Sequence, residues 1–181
     1  MTAIWSLLDR ADICIAQNGD SFDFKRINAR FLIHRISPPS PYRTIDTLKV
    51  AQTVFGFNSN RLNEIGKSLS EGEKLRHRGF EMWKGCMTGK KSDWALMKQY
   101  NIKDVKLLER IYLRFRPWIK NHPNLSVYKE NECCSKCGSN VIQWRGMLMK
   151  QSGRYRRYQC TKCGGWGQAR LGEVVAKTLA A

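Results

Sequence analysis

The stretch Asp12-Ile-Cys-Ile-Ala16-Gln-Asn18-Gly-Asp-Ser-Phe22-Asp23 decides how the first part of this chain is read. Its opening is a short apolar run of the kind that forms a strand buried in a parallel sheet. After Asp23 the apolar residues Phe24, Ile27 and Phe31 recur at helical spacing, so the strand passes into a helix through Gly19-Asp20-Ser21. The segment is a strand-loop-helix unit, and it predicts an α/β fold.

On the N-terminal side, Ile4-Trp5-Ser-Leu-Leu8-Asp9 has the spacing of a short amphipathic helix. On the other side, Ser37-Pro-Pro-Ser-Pro41 must end the helix that follows Asp23, because proline cannot continue one and restricts its predecessor. Arg43-Thr-Ile-Asp-Thr47 is a candidate strand leading into a helix through Phe55. Residues 56–90 carry short apolar islands (Leu62, Ile65, Leu69; Phe80, Met82, Trp83) among Gly, Asn and Ser, which predicts short helices and loops. From about Ser92, the residues Trp94, Met97, Val105, Leu108, Tyr112 and Phe115 mark a long helix that stops at Pro117. Asn121-His-Pro-Asn124 reads as a turn and a boundary, giving one domain over 1–124 and a second over 125–181.

The chain has 181 residues, 42% of them apolar, and a formal net charge of +17. That length and composition suit one core with a small appended module. A charge excess of this size destabilises a compact state by self-repulsion and implies a polyanionic partner, nucleic acid foremost. From Cys133 onward there are nine Lys or Arg and a single acid, Glu173. No apolar run approaches a membrane span, and the N-terminus lacks a signal-peptide layout. The expectation is a cytoplasmic protein with no membrane partner.

Five of the seven cysteines lie in the last third, and four of them pair as Cys134-Ser-Lys-Cys137-Gly138 and Cys160-Thr-Lys-Cys163-Gly164, with twenty-two residues between the pairs. Two such knuckles at this spacing predict a zinc ribbon, in which a hairpin gathers four thiolates around tetrahedral Zn²⁺. Cys133 is an alternative to Cys134, but the Cys-x-x-Cys spacing favours Cys134; Cys14 and Cys86 remain ordinary thiols. The glycines that follow permit the tight turns in which backbone N–H groups point at sulfur. Between the knuckles, Val141 to Met147 and Arg154 to Gln159 alternate as hairpin strands joined near Gln151-Ser-Gly153. Trp144, Tyr155, Tyr158 and Trp166 are interleaved there with Arg145, Arg154, Arg156 and Arg157, offering aromatic faces to bases and cations to phosphates without base preference.

Tyr100-Asn-Ile-Lys-Asp104 places a phenol and a carboxylate at i and i+4, one turn apart on a single helix face. Together with Asn18-Gly-Asp-Ser-Phe22-Asp23, Thr44-Ile-Asp46, His77-Arg-Gly-Phe-Glu-Met-Trp83 and Arg116-Pro-Trp118, the chain resembles the ribonuclease-H-like 3′-to-5′ exonucleases of tailed bacteriophages, many of which end in a zinc ribbon. The resemblance runs along nearly all of the sequence and fits the tyrosine subclass, since Gln99 stands where a histidine base would be. It implies two-metal phosphodiester hydrolysis with Mg²⁺ or Mn²⁺. Asp23 and Asp104 would be metal-site carboxylates and Tyr100 would orient the attacking water. Asn18 and Phe22 would shape the loop against the terminal nucleotide of a DNA 3′ end. Asp20 and Asp46 are read as structural, a loop acid and a helix cap.

The family's first motif, Asp-x-Glu on a leading strand, is not found here, so the expected fold is an N-terminally incomplete ribonuclease-H-like domain followed by a basic zinc ribbon. The strand around Ile13 would then present an unpaired apolar edge. Three functional readings follow: an exonuclease when the fold is complete, an inactive nucleic-acid or protein-binding module on that scaffold, or a split exonuclease whose sheet a second chain completes.

Overall fold

The computed structural model describes residues 1–75, 79–129 and 131–170, and the chain divides into two units, Met1–Phe115 and Arg116–Ala181. His77 and Arg78 of the family-like stretch, and residues 171–181 of the basic segment with Glu173, lie outside the described residues.

The first unit is mixed α/β. Helix α1 (Thr2–Asp9) leads to strand β1 (Ile13–Ala16), helix α2 (Asp23–Ile33), strand β2 (Arg43–Asp46) and helix α3 (Thr47–Val54). Strands β1 and β2 pair in parallel, Ile13 opposite Arg43 through Ala16 opposite Asp46, and among the described residues they form a two-stranded sheet. The proline-rich segment carries the chain back from α2 to β2. It is tied to α1, where Trp5 Nε1 donates to the Ser37 carbonyl at 2.7 Å and Asp9 accepts from the Ser40 amide at 2.8 Å.

Three more helices follow, α4 (Leu62–Ser68), α5 (Phe80–Met87) and the long α6 (Lys91–Phe115). The length of α6 agrees with the sequence pattern, and Met97, Tyr112 and Phe115 of the expected stripe are buried, but two of its members are not. Trp94 and Val105 are 55% and 64% exposed, whereas Met97, Leu107, Ile111 and Phe115 are at most 5% exposed. The inward face runs 97, 100, 104, 107, 111, 115, a regular three-four spacing, with Tyr100 and Asp104 in the middle of it. A search for apolar residues alone skips those two positions and takes in exposed Trp94 and Val105 instead. Burying side chains such as Leu107, Ile111 and Phe115 stabilises the unit by about 1.5–3 kcal/mol each. Phe55 and Phe57 close the C-terminal end of the stripe, with ring centroids 4.7 and 6.0 Å from Phe115.

The second unit begins with two single 3-10 turns, Arg116–Trp118 and Leu125–Tyr128, and continues into an antiparallel sheet of β3 (Ile142–Lys150), β4 (Gly153–Cys160) and β5 (Trp166–Arg170). The segment before the cysteines is fastened to them. The Leu125 amide donates to the Ser135 carbonyl at 2.7 Å, and the ammonium of Lys136 donates to the carbonyl of Ile119. For that reason the unit starts at Arg116, ahead of the Asn121–Asn124 turn. The hairpin expected from the alternation is β3–β4; β5, the third strand, follows the second knuckle.

Candidate functional site

The loop between β1 and α2 is organised by Asp46, the last residue of β2. Its buried carboxylate accepts from the Leu48 amide at 3.0 Å, capping α3, and from the amides of Asn18 and Asp20 at 2.7 and 3.3 Å. Asn18 stands at φ 63, in the left-handed region that asparagine tolerates better than most side chains. Gly19 is buried, and a Cβ there would lie 2.3 Å from the Cβ of Ala16. Asp20 pairs with Lys49 at 2.6 Å, an interaction that holds its carboxyl below the ordinary range. Phe22 and Asp23 are both exposed. Asp23 opens α2, where a carboxylate complements the helix dipole, and Arg26 lies 5.5 Å from the Phe22 ring.

Tyr100 and Asp104 do come together, and a residue outside the sequence expectations joins them. The ammonium of Lys74 lies 2.7 Å from Asp104 Oδ2 and 3.1 Å from the Tyr100 hydroxyl. Burial alone would lower the Lys74 pKa, but the hydrogen bonds to Asp104 and Tyr100 outweigh it and the value is raised. The second carboxylate oxygen, Oδ1 of Asp104, is buried and has no hydrogen-bond partner among the described residues. The signal that could have found Lys74 is the interrupted stripe: a carboxylate facing inward on a helix needs a cation from another element.

Lys74 also lines an open cleft of about 620 Å³ with Gln17, Leu48, Asn60, Arg61 and Asn63. Gln17 follows β1 and Leu48 follows β2, so the cleft opens at the carboxyl ends of the parallel strands, where open α/β sheets place ligands. No hydrogen bond or ion pair among the described residues links Asp23 to Asp104. The only gathering there of three or more potential metal ligands is the cysteine group.

In the second unit, the sulfurs of Cys134, Cys137, Cys160 and Cys163 lie within 4.8 Å of one another, with Cys134 to Cys163 at 3.8 Å and Cys137 to Cys160 at 3.7 Å. A tetrahedron with Zn–S bonds of about 2.3 Å has edges of about 3.8 Å, so the spacing suits zinc. The knuckles are built alike. Gly138 and Gly164, at φ 68 and 74, return their amides to the carbonyls of Cys134 and Cys160, each at 2.8 Å. The amides of Lys136 and Gly165 point at the sulfurs of Cys134 and Cys163, both at 3.4 Å. Cys133 stays outside the group. Burial pushes the Cys137 thiol up to about 12. Burial also raises Cys160, but the backbone amides of Cys163 and Lys162 outweigh it and leave the thiol at about 7. Lys136 is buried beside Cys134 and Cys163, a cation placed against the sulfur charge a bound metal would leave.

The ribbon's arginines and aromatics divide between the faces of the sheet. Cross-strand pairing puts Trp144 opposite Tyr158 and Met147 opposite Arg156 on the face that carries Cys160. Tyr158 is 4% exposed, hydrogen-bonded to Ser135 and edge-on to Trp144; Arg156 covers Trp144 at 4.2 Å. The other face carries Tyr155, Arg157 and Trp166, and Arg145 joins it by donating to Gln143 at 2.9 Å. Arg154 falls on the first face, opposite Met149.

No family model, curated protein or solved structure matches this chain. Fold and site together define a mixed α/β protein with small sheets and a four-cysteine cluster that can hold a zinc ion. Among the described residues no helix is long and apolar enough to cross a membrane.

Proposed function

We propose that this chain is a nucleic-acid-binding protein of the ribonuclease-H-like 3′-to-5′ exonuclease class, with the zinc ribbon gripping the polyanion and the first unit presenting the 3′-end chemistry. The observation that carries the reading is the charge of the ribbon: residues 133–170 contain eight Lys or Arg and no Asp or Glu. Such a surface gains affinity by releasing counterions from phosphates. The exonuclease assignment rests on the resemblance and is supported by Tyr100 and Asp104 meeting on one face of α6, at a lysine that lines the cleft beyond the strand ends. In that role Asp104 and Asp23 would be the carboxylates for Mg²⁺ or Mn²⁺, Tyr100 would position water, and Asn18 and Phe22 would border the terminal nucleotide. The ion would supply Lewis-acid stabilisation of the phosphoryl oxygens.

A second reading, a binding module without hydrolysis, is favoured by one observation: the cation on Asp104 is the Lys74 ammonium, and no three carboxylates gather there among the described residues. The test is the zinc-loaded chain with a 5′-labelled oligonucleotide, with and without Mn²⁺. A Mn²⁺-dependent ladder shortening from the 3′ end, abolished by Asp104→Asn, is the exonuclease outcome. Salt-sensitive binding without a ladder selects the module, and no binding even at about 50 mM salt, where phosphate contacts are much stronger than at about 200 mM, defeats both.

A further inference from the structure

We infer that the face of the ribbon sheet bearing Trp166 and Tyr155 is a stacking platform for single-stranded nucleic acid, an inference that rests on the nucleic-acid reading above and goes beyond it to strandedness and to particular side chains. The two faces have different tasks. Tyr158 and Trp144 are committed to the core around the cysteines, joined edge to face and bonded to Ser135. Trp166 and Tyr155 are not part of that cluster. Trp166 is 46% exposed and Tyr155 half-buried, and both project from the opposite face of β5 and β4.

Each ring on this face has its own cation. The Arg157 guanidinium lies 5.5 Å from the Trp166 ring and the Lys150 ammonium 5.2 Å from the Tyr155 ring, while Arg157 Nε donates to the Arg145 backbone carbonyl at 3.3 Å. A base stacked on either ring therefore has a phosphate partner within reach of the same contact. No acid occurs in residues 133–170, so the charge of this surface suits a polyanion.

Strandedness follows from which surfaces a nucleic acid exposes. In a duplex the base faces are stacked on one another, and a sheet meets only phosphates and groove edges. In a single strand the bases can be laid flat on aromatic side chains, as on other β-sheet platforms. An exposed Trp and a half-exposed Tyr on one sheet face, each with a cation, can be used in full only by unpaired bases.

The test uses the zinc-loaded full chain without added Mg²⁺ or Mn²⁺, so that the probe is not consumed. Binding is measured by fluorescence anisotropy with a labelled oligo(dT) 12-mer, an oligo(rU) 12-mer and a 12-base-pair duplex. The single strands are expected to bind more tightly than the duplex. Trp166→Ala and Tyr155→Ala should each weaken single-strand binding by about 5- to 150-fold, the range of one lost base stack, with duplex binding changed less than about twofold. Trp166→Phe, which keeps a ring, should recover most of the loss, and an unchanged zinc content confirms that the variants fold. Equal affinity for strand and duplex, or single-strand binding unmoved by both alanine variants, overturns the platform while leaving nucleic-acid binding intact. Failure of the unaltered chain to bind any of the three probes overturns both.

Discussion

Lys74 Nζ sits 2.7 Å from Asp104 Oδ2, so a loop residue thirty positions upstream supplies the cation for a carboxylate on the inward face of α6. The pair is more than two-thirds shielded at both side chains, with 32% and 19% exposure. Replacing Lys74 by Met leaves the carboxylate half-buried without its cation. The expected loss is about 1–3 kcal/mol, below that of a fully buried pair because water still reaches part of it. Urea unfolding of Lys74→Met against the unaltered chain measures it.

The same pair predicts a pH dependence at the alkaline end. Burial lowers the Lys74 pKa, hydrogen bonds to Asp104 and Tyr100 raise it more, and the folded value ends above the unfolded one. A raised lysine contributes stability that is fully present below the unfolded pKa, about 10.4, and lost as pH rises through the folded value. Stability of the unaltered chain should therefore fall more steeply above pH about 10 than that of Lys74→Met, as urea midpoints across that range will show.

Asp46 holds three amides, those of Asn18, Asp20 and Leu48, on one buried side chain. Asp46→Ala removes the cap of α3 and leaves the β1–α2 loop amides without their acceptor, an expected cost of about 1–3 kcal/mol. Asp46→Asn retains one acceptor oxygen and should cost less. Thermal unfolding of the two variants in parallel separates these effects; equal stability of Asp46→Ala and the unaltered chain would count against the assignment.

Gly85, on α5, faces Asp93 at the start of α6 so closely that a Cβ would lie 1.9 Å from the carboxylate. Gly85→Ala should destabilise the first unit by about 1–3 kcal/mol through overpacking. Gly56 has nothing within 4 Å of its Cβ position. Gly56→Ala should be neutral or stabilise by up to about 1 kcal/mol, since alanine restricts the unfolded chain. The difference in melting temperature between the two variants is the readout.

The ribbon should bind one zinc ion through Cys134, Cys137, Cys160 and Cys163 and lose its sheet on chelation, because the buried cluster there is Cys134, Cys160 and Tyr158, with little else for a core once the metal is gone. Cys137→Ser should abolish tight binding and Cys133→Ser should leave the zinc content unchanged. With the Cys137 thiol pushed up to about 12 in the absence of metal, zinc binding at neutral pH must release a proton from it. Affinity should fall on acidification, by about tenfold per pH unit for each proton released. Competition with a chromophoric chelator between pH 6 and 8 checks both statements.

Much of the framework was legible residue by residue. Ile13–Ala16 and Arg43–Asp46 are strands, Ser37 to Pro41 separates α2 from β2, and α6 runs to the residue before Arg116-Pro117. The helix cap at Asp46 followed from its place between a strand and a helix. These features depend on local backbone chemistry: apolar runs, proline's missing N–H, a carboxylate ahead of a helix. The face of α6 was read correctly at Met97, Tyr112 and Phe115 and misread at Trp94 and Val105, because the stripe passes through Tyr100 and Asp104, and polarity hides an inward position until the partner from another element is known.

By itself the sequence determined that two Cys-x-x-Cys-Gly knuckles would close on one another, because their spacing and glycines leave a hairpin few other ways to satisfy four thiols. It determined the basic charge of residues 133–170 as well, since composition does not depend on fold. Only the tertiary structure decided that Lys74 answers Asp104, and that Arg145 and Arg157 share a sheet face with Trp166 while Arg154 and Arg156 lie on the other. Those pairings are fixed by strand register and by contacts between residues far apart in the chain, which neither composition nor periodicity encodes.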